Sequence, residues 1–527
     1  MTGGYPPPWQ VPATYNLAAD VLAGRDPAQV AMVWADHRGE VRTVGWAELA
    51  ALTGRAAHLL RRLGVGRGDR VAVVLPPLPE TAAITLGVLL AGGVVVVMSP
   101  LWRQDAFAYR IGDCAPAVVV TDPAAAPRIR AAAAGTRTTV VELTGDLLTG
   151  LPDTFDPVPT SADEPAQIYY TSGTSGPAKG IVHAHRVLLG HNEFEVCHDL
   201  RPGEVYHGTG DWAWSLTKVF GPWRLGAIQF VYHGAPRFDP VALFTAMAAH
   251  GVTNTLLNPT AIRRLRDTCP DAGARIPLRL RVACSSSEPL AADLIDWFRG
   301  QFGVTLLDYY GCTESFPLVS NRPGVPVKPG SMGTPTPGWQ VAVLGPDERP
   351  VPAGTPGEVC LRARTNPQYP LGYWNRPQAS AATFGGEWWH TRDLARVDED
   401  GYFWYLGRDD DVIISAGYRI GPYEVEAALD SHPAVSASAV VGAPDRERGH
   451  VVHAFVVPAP GASPGPTLVA DLQDHVRRTY ALFAYPRQVE FVTELPRSVT
   501  NKIQRAELRR RLAAPAPSTA SPGERHD

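Results

Sequence analysis

Short runs of β-branched residues alternate with helix-like stretches through the first four hundred positions, and this alternation limits the possible folds more than any other feature. VAVVL (Val71 to Leu75), VVVVM (Val94 to Met98) and AVVVTD (Ala117 to Asp122) are the clearest runs. Such runs suit strands buried on both faces, and their alternation with helices implies parallel α/β layers. Thr81 to Met98 is uncharged and mostly apolar, which reaches the length of about 18 residues at which a membrane span is considered. Gly92-Gly93 divides it, so a buried helix followed by a buried strand is expected instead.

The 527 residues allow about three or four folding units. A Pro/Gly-rich stretch, Asn321 to Gly338, introduces shorter β-like segments around VAVLG and GEVCLRAR, which points to a small barrel-like β subdomain. After GRDDD, near Gly407, the strand and helix pattern restarts. The fold class expected is α/β: a large domain of layered α/β subdomains over 1–409, a small mobile α+β domain over 410–512, and a disordered Ala/Pro/Ser-rich tail over 513–527.

Charge and cysteine usage exclude several classes of function. The formal net charge of -4 excludes a strongly basic nucleic-acid binder. Six cysteines are scattered without a CxxC pair, so their spacing suggests neither a disulfide framework nor a zinc site and fits a reducing cytoplasm. The opening MTGGYPPPWQVPATYN lacks the basic-then-apolar order of a signal peptide, so no export is expected. Only four of the 48 basic residues are lysine (Lys179, Lys218, Lys328 and Lys502), which suggests that each sits where arginine would fail.

The segment IYYTSGTSGPAKG, Ile168 to Gly180, runs from apolar strand-like residues into a loop dense in Ser, Thr and Gly. Glycine lets the backbone approach a phosphate, hydroxyls and amides supply donors, and Lys179 adds a mobile positive charge. It is not a Walker loop, because Lys179 precedes Gly180 rather than Ser or Thr. By itself such a loop is equally an ordinary surface loop.

The pattern resembles the nucleotide loop of the adenylate-forming superfamily of acyl-CoA synthetases, adenylation domains and luciferases. YYGCTES (Tyr309 to Ser315), WHTRDL (Trp389 to Leu394), DGYFWYLGRDDDVIISAGYRIGPYEVE (Asp400 to Glu426) and LPRSVTNKIQRAELR (Leu495 to Arg509) match it in order and approximate spacing. The resemblance covers about Tyr15 to Arg511, and GYRIGPYEVE, YPRQVEF and APRFDP look most like the medium-chain acyl-CoA synthetase branch, with acetyl-CoA synthetases more distant.

That resemblance implies an ATP-dependent carboxylic acid:CoA ligase that forms an acyl-adenylate and then a thioester, with ATP, Mg²⁺ and coenzyme A required. A carboxylate is a poor electrophile, and joining it to an α-phosphate needs charge cancellation, in-line positioning and a metal. By resemblance Thr171, Ser172, Gly173, Thr174, Ser175, Gly176 and Lys179 cradle the β- and γ-phosphates. Thr313 contacts the α-phosphate and Glu314 holds Mg²⁺, although both residues are equally at home capping a helix. Ser287, Glu288 and Pro289 of the SSSEP turn, with Tyr310, meet adenine; Asp393, with Arg408 nearby, meets the ribose. Lys502 bridges the carboxylate and the α-phosphate. Asp410 is the hinge about which the small domain turns to bring Gly417, Tyr418 and Arg419 to coenzyme A. The rival reading of Arg419 is a surface salt bridge.

Two positions depart from the family pattern. Asn501 stands where Gly usually precedes the catalytic lysine, which puts the turn geometry in doubt, and Pro177-Ala178 separates proline from Lys179. Gly311 occupies the position where acetate-specific relatives carry Trp, which implies an open pocket for a medium-chain, aromatic or other bulky apolar acid. Trp214 lines that pocket or packs in the core. Partners are therefore small molecules, with no nucleic acid and no integral membrane contact; a homodimer is left open. The alternatives are a stand-alone enzyme loading a carrier protein and a catalytically silent nucleotide-binding homologue.

Overall fold

The computed structural model describes residues 9–102, 104–170, 178–210, 212, 217–288, 290–362, 365–409, 411, 413–415, 418–445, 449–480, 484–498 and 502–513. The chain divides into two compact units, 1–391 with 396–405, and 392–395 with 406–527. The hinge position Asp410 lies outside the described residues.

Two large sheets build the first unit. The valine-rich runs become the strands Arg70–Val74, Val94–Val97 and Val118–Thr121. They pair in parallel, with Val71 opposite both Val95 and Val118. Every residue of Val94–Val97 and Val118–Thr121 is buried, because helices cover both faces. Each valine so buried contributes roughly 1.5–3 kcal/mol relative to exposure. This sheet has seven strands, with Pro165–Tyr170, Gly180–Ala184 and Gly372–Tyr373 completing one side.

Thr81 to Met98 is the expected helix and strand. The helix Pro79–Leu90 is almost wholly buried, Gly92 turns the chain at φ 76°, and the strand follows. A positive φ costs glycine little, which is why the turn falls there. No described helix is long and apolar enough to cross a membrane.

The second large sheet has nine strands, parallel through its middle from Val30–Asp36 to Leu306–Cys312. Its helices start where the sequence supplies caps. Asp239 and Asn258 each accept a hydrogen bond from a first-turn amide, and each is followed by proline at the first helical position. The segments expected to form a β subdomain, Gln340–Leu344 and Gly357–Arg362, pair antiparallel in a four-stranded sheet with Trp389–Val397 and Phe403–Arg408.

The strand Val205–Gly208 carries a buried histidine with a consequence for stability. His207 Nδ1 donates to the Phe230 carbonyl at 3.0 Å, and its Nε2 is buried without a hydrogen-bond partner. Burial, helped by Lys218, lowers its pKa from 6.5 to about 4, so the folded protein keeps it neutral while the unfolded chain takes up a proton below pH 6.5. Stability is therefore complete above pH 6.5 and declines as pH falls toward 4, by about 2 kcal/mol at pH 5 from this residue. Urea unfolding at pH 7 and pH 5 should show that loss in the wild type and a correspondingly smaller one in His207→Asn. An identical pH dependence in both proteins would contradict the assignment.

The second unit is an α+β sandwich. Val435–Asp445 and Gly449–Pro458 form a long antiparallel pair, and Gln488–Phe491 joins in parallel. The helices Pro422–Asp430 and Pro466–Thr479 bury Val425, Leu429, Leu472 and Val476 against Val440, Val452 and Val456.

Candidate active site

In the first unit the two strands that flank the phosphate-loop motif are neighbours in one sheet. Pro165–Tyr170 and Gly180–Ala184 are antiparallel, with Tyr170 opposite Gly180. Thr171, Ser172, Gly173, Thr174, Ser175 and Gly176 lie outside the described residues; Lys179 is exposed just before the second strand.

The YYGCTES motif is a hairpin. Cys312 pairs with Ser315, which leaves Thr313 and Glu314 as its two turn residues. They do not cap a helix. His183, on the strand after the phosphate loop, bonds through Nε2 to the Thr313 carbonyl at 3.1 Å. Burial lowers the pKa of His183 to about 4, so the ring is neutral and Nε2–H is the donor.

Tyr373 links the two motifs. It sits opposite Ile181 in the sheet, its hydroxyl donates to Glu314 Oε1 at 3.0 Å, and the Lys179 ammonium lies 5.1 Å from its ring centroid. Burial, reinforced by the Glu314 carboxylate, pushes the phenol pKa up, so it stays a donor. One aromatic ring thus holds a cation at its face and a carboxylate at its hydroxyl.

Behind this turn lies a buried polar network. Tyr309 donates to Glu193 Oε1 at 2.5 Å, and His191 Nε2 bonds Glu193 Oε2 at 2.8 Å. Gln368 Nε2 donates to His191 Nδ1 at 2.5 Å, which makes Nε2 the protonated nitrogen of His191. The Gln368 carbonyl accepts from Ser315 Oγ and from the Phe316 amide. Burial opposes ionisation of Glu193, but the hydrogen bonds it receives, led by that from His191, outweigh it and hold its pKa at about 2. A buried network with its partners in place stiffens what it touches, here both flanks of the Tyr310 to Glu314 segment.

Tyr310 is half-buried beside Tyr405, ring centroids 6.1 Å apart. Ser287 adopts φ 81°, unusual for a residue other than glycine, and Glu288 accepts a hydrogen bond from Thr260 Oγ1 at 2.8 Å. Pro289 and Trp214 lie outside the described residues. A Cβ built on Gly311 would come within 2.4 Å of the Phe316 ring. The space left by the missing side chain is thus partly filled by Phe316.

In the second unit Asp393 is buried, with its Oδ1 3.4 Å from Arg408 Nη1. Tyr418 and Arg419 lie on the strand Tyr418–Ile420, and Gly417 is outside the described residues. Lys502 is exposed, with the Ser498 amide donating to its carbonyl at 2.8 Å and its own amide donating to Ser498 Oγ at 3.2 Å. Asn501 lies outside the described residues. Three positions beyond Lys502, the buried Arg505 guanidinium donates to Glu426 at 2.5 and 2.7 Å and to Tyr423 Oη at 2.9 Å, while stacking 4.1 Å from the Tyr423 ring centroid.

Comparison with known proteins identifies the chain. The family model described as AMP-binding enzyme matches residues 20–374, and the one described as AMP-binding enzyme C-terminal domain matches 424–502. The chain belongs to the AMP-binding enzyme family. It is 34% identical to the mitochondrial acyl-coenzyme A synthetase ACSM3 of Mus musculus, over 95% of this chain and 91% of that protein. Among solved structures it resembles the anthranilate CoA ligase AuaEII in complex with anthranoyl-AMP, at 29% identity and TM-score 0.85 over 95% of this chain and 98% of that one. It also resembles a benzoate CoA ligase from Burkholderia xenovorans LB400, at 26% identity and TM-score 0.83 over 94% and 100% of the two chains. The chain is an AMP-forming acyl-CoA ligase, with ATP, Mg²⁺ and coenzyme A as its requirements.

Within this AMP-binding enzyme the fold brings Lys179, Thr313 and Glu314 together through Tyr373 and His183, two residues that motif reading missed. Tyr373 stands in LGYWNRP, a string outside the motifs that carry the family resemblance. Glu193 and Gln368 carry no motif signal, since the contacts that tie them to the YYGCTES hairpin, to Tyr309 and Ser315, span 116 and 53 positions. Arg505 was visible inside LPRSVTNKIQRAELR, but nothing in the string told its buried role from that of a surface arginine.

Of the four lysines, Lys328 is one whose place does not require lysine. Lys328 binds Asp398 and Asp400 at 2.7 and 2.6 Å near the surface, where arginine would also serve. Lys218 is buried and donates to the carbonyls of Thr209 and Gly210 at 3.2 Å.

Proposed function

We propose that this acyl-CoA ligase activates a medium-chain, aromatic or similarly bulky apolar acid, with 1–409 binding ATP and acid and 410–512 as a mobile domain. The observation that carries the site assignment is Tyr373, bonded to Glu314 while facing Lys179. That arrangement gives the nucleotide's phosphates a fixed cation on one side and a carboxylate on the other. A turn carboxylate is the hard oxygen donor that Mg²⁺ takes, so Glu314 suits the metal, which would neutralise charge on the phosphates and departing pyrophosphate.

In this reading the hydroxyls and amides of residues 171–176 and Lys179 cradle the β- and γ-phosphates, and Thr313 holds the α-phosphate. Ser287, Glu288, Pro289 and Tyr310 enclose adenine, and Asp393 with Arg408 takes the ribose. Lys502 draws carboxylate and α-phosphate together. Rotation about Asp410 then exchanges that lysine for Gly417, Tyr418 and Arg419, which line the path of coenzyme A. Trp214 and Gly311 border the acid. The enzyme acts in the cytoplasm, as monomer or homodimer.

Support for the acid class comes from relatives named for anthranilate and benzoate; Gly311 lacks the indole of acetate-specific relatives, but Phe316 occupies part of the space this leaves. With Phe316 already against Gly311, a bulky residue there would have to displace that ring, at about 1–3 kcal/mol of overpacking. Pyrophosphate release over a panel of acids tests the reading. Octanoate or benzoate should far outpace acetate, and Gly311→Trp should lower their turnover. Equal turnover of acetate would refute the substrate class. CoA-dependent consumption of the acyl-adenylate separates this enzyme from one that loads a carrier protein.

A further inference from the structure

The strands Gly357–Arg362 and Trp389–Val397 are neighbours in the four-stranded sheet. Glu358 and Cys360 are two positions apart, so both side chains leave the same face, and His390 reaches them from the next strand. Cys360 Sγ lies 3.4 Å from His390 Nδ1, which in turn lies 2.9 Å from Glu358 Oε2, and all three donor atoms fall within 4.8 Å of one another.

One ring nitrogen carries either one proton or one lone pair, so Nδ1 cannot serve both a sulfur and a carboxylate in full. A cation between the three atoms serves all of them. Tetrahedral zinc, with bonds of about 2.0–2.3 Å, separates adjacent ligand atoms by roughly 3.3–3.6 Å. The sulfur–nitrogen distance already fits, and the nitrogen–oxygen pair need open only slightly. Cys360 is buried at the base, whereas the His390 and Glu358 side chains are 37% and 26% exposed, which leaves an approach from solvent. Glu348 adds negative charge near the thiol. The frame is braced on both sides of the triad, by Thr391 Oγ1 to the Val359 carbonyl at 2.7 Å and by the Arg362–Glu387 ion pair.

We propose that Glu358, Cys360 and His390 form a site for a divalent cation of the zinc class, separate from the Mg²⁺ of the reaction. A thiol, an imidazole and a carboxylate select a borderline-soft ion over Mg²⁺, and three protein ligands leave one position for water. On binding, a sulfur–metal bond forms, the thiol S–H breaks, and its proton passes to solvent.

Cobalt(II) titration of the full-length protein tests this, because thiolate-to-cobalt charge transfer absorbs in the near ultraviolet and an oxygen-ligated nucleotide site gives no such band. The band should saturate at one equivalent, be displaced by Zn²⁺, vanish in Cys360→Ser, and require about tenfold or more cobalt in His390→Ala. No charge-transfer band in the wild type, or a full band in Cys360→Ser, would overturn the proposal. Should Cys360→Ser fail to fold, unchanged cobalt affinity in both His390→Ala and Glu358→Gln would overturn it equally, and weakened affinity in both would support it.

Discussion

Lys502→Ala is expected to abolish acyl-adenylate formation while leaving thioester formation from supplied acyl-adenylate nearly intact. The first half-reaction joins two anions, so a preorganised ammonium between them removes repulsion at the moment of bond formation. Loss of one such electrostatic contact costs roughly 10²–10³ in rate. The second half-reaction starts from a mixed anhydride that is already activated and needs no bridging cation at that point. Pyrophosphate exchange measures the first step, and CoA-dependent AMP release from synthetic acyl-adenylate measures the second. Lys502 is well suited to the task in its own unit: it is exposed, and two hydrogen bonds tie its backbone to Ser498. Equal loss of both steps would refute this division of labour.

Arg505→Ala is expected to destabilise the second unit by about 3–5 kcal/mol, because it strands the Glu426 carboxylate in the core. Arg505 is 6% exposed and Glu426 likewise 6%, and the contact is two-pronged. Burial already pushes the Glu426 pKa up to about 7, against the pull of Arg505, so removal of the guanidinium favours the protonated carboxyl further. The double replacement Arg505→Met with Glu426→Leu should recover much of the loss, since well-packed apolar residues can replace a buried pair. Denaturant unfolding of the three variants checks both statements. A loss below 1 kcal/mol in Arg505→Ala would show that the pair is not the anchor it looks to be. Arg505→Lys should fall between, because an ammonium cannot match the fork of a guanidinium. Since the second unit carries both Lys502 and the segment 417–419, both half-reactions should decline with stability across this series.

The fold was legible wherever the pattern was local. Valine-rich runs and a glycine pair between helix and strand each declare a structure through neighbours in sequence. Thr313 and Glu314 were found as residues, but their setting was not. Whether they capped a helix or turned a hairpin depended on the pairing of Cys312 with Ser315 and on the strand that follows. Gly311 was correctly noticed as small, yet the sequence could not reveal that Phe316 leans into the space. Counting lysines singled out Lys179 and Lys502, whose roles are proposed above, and overreached at Lys328, whose place is explained by two surface carboxylates.

Residue identity alone determined the class of chemistry: hydroxyl-rich loop, Thr-Glu pair, lone lysine near the end, and motif order require no coordinates to be read. Tertiary structure alone decided which side chains share a carboxylate or a ring. Tyr373 reaches Glu314 across 59 positions, Tyr309 reaches Glu193 across 116, and Cys360 meets His390 across 30. Those meetings are set by strand order and register, and register follows from burying whole sheet faces rather than from any short string of residues.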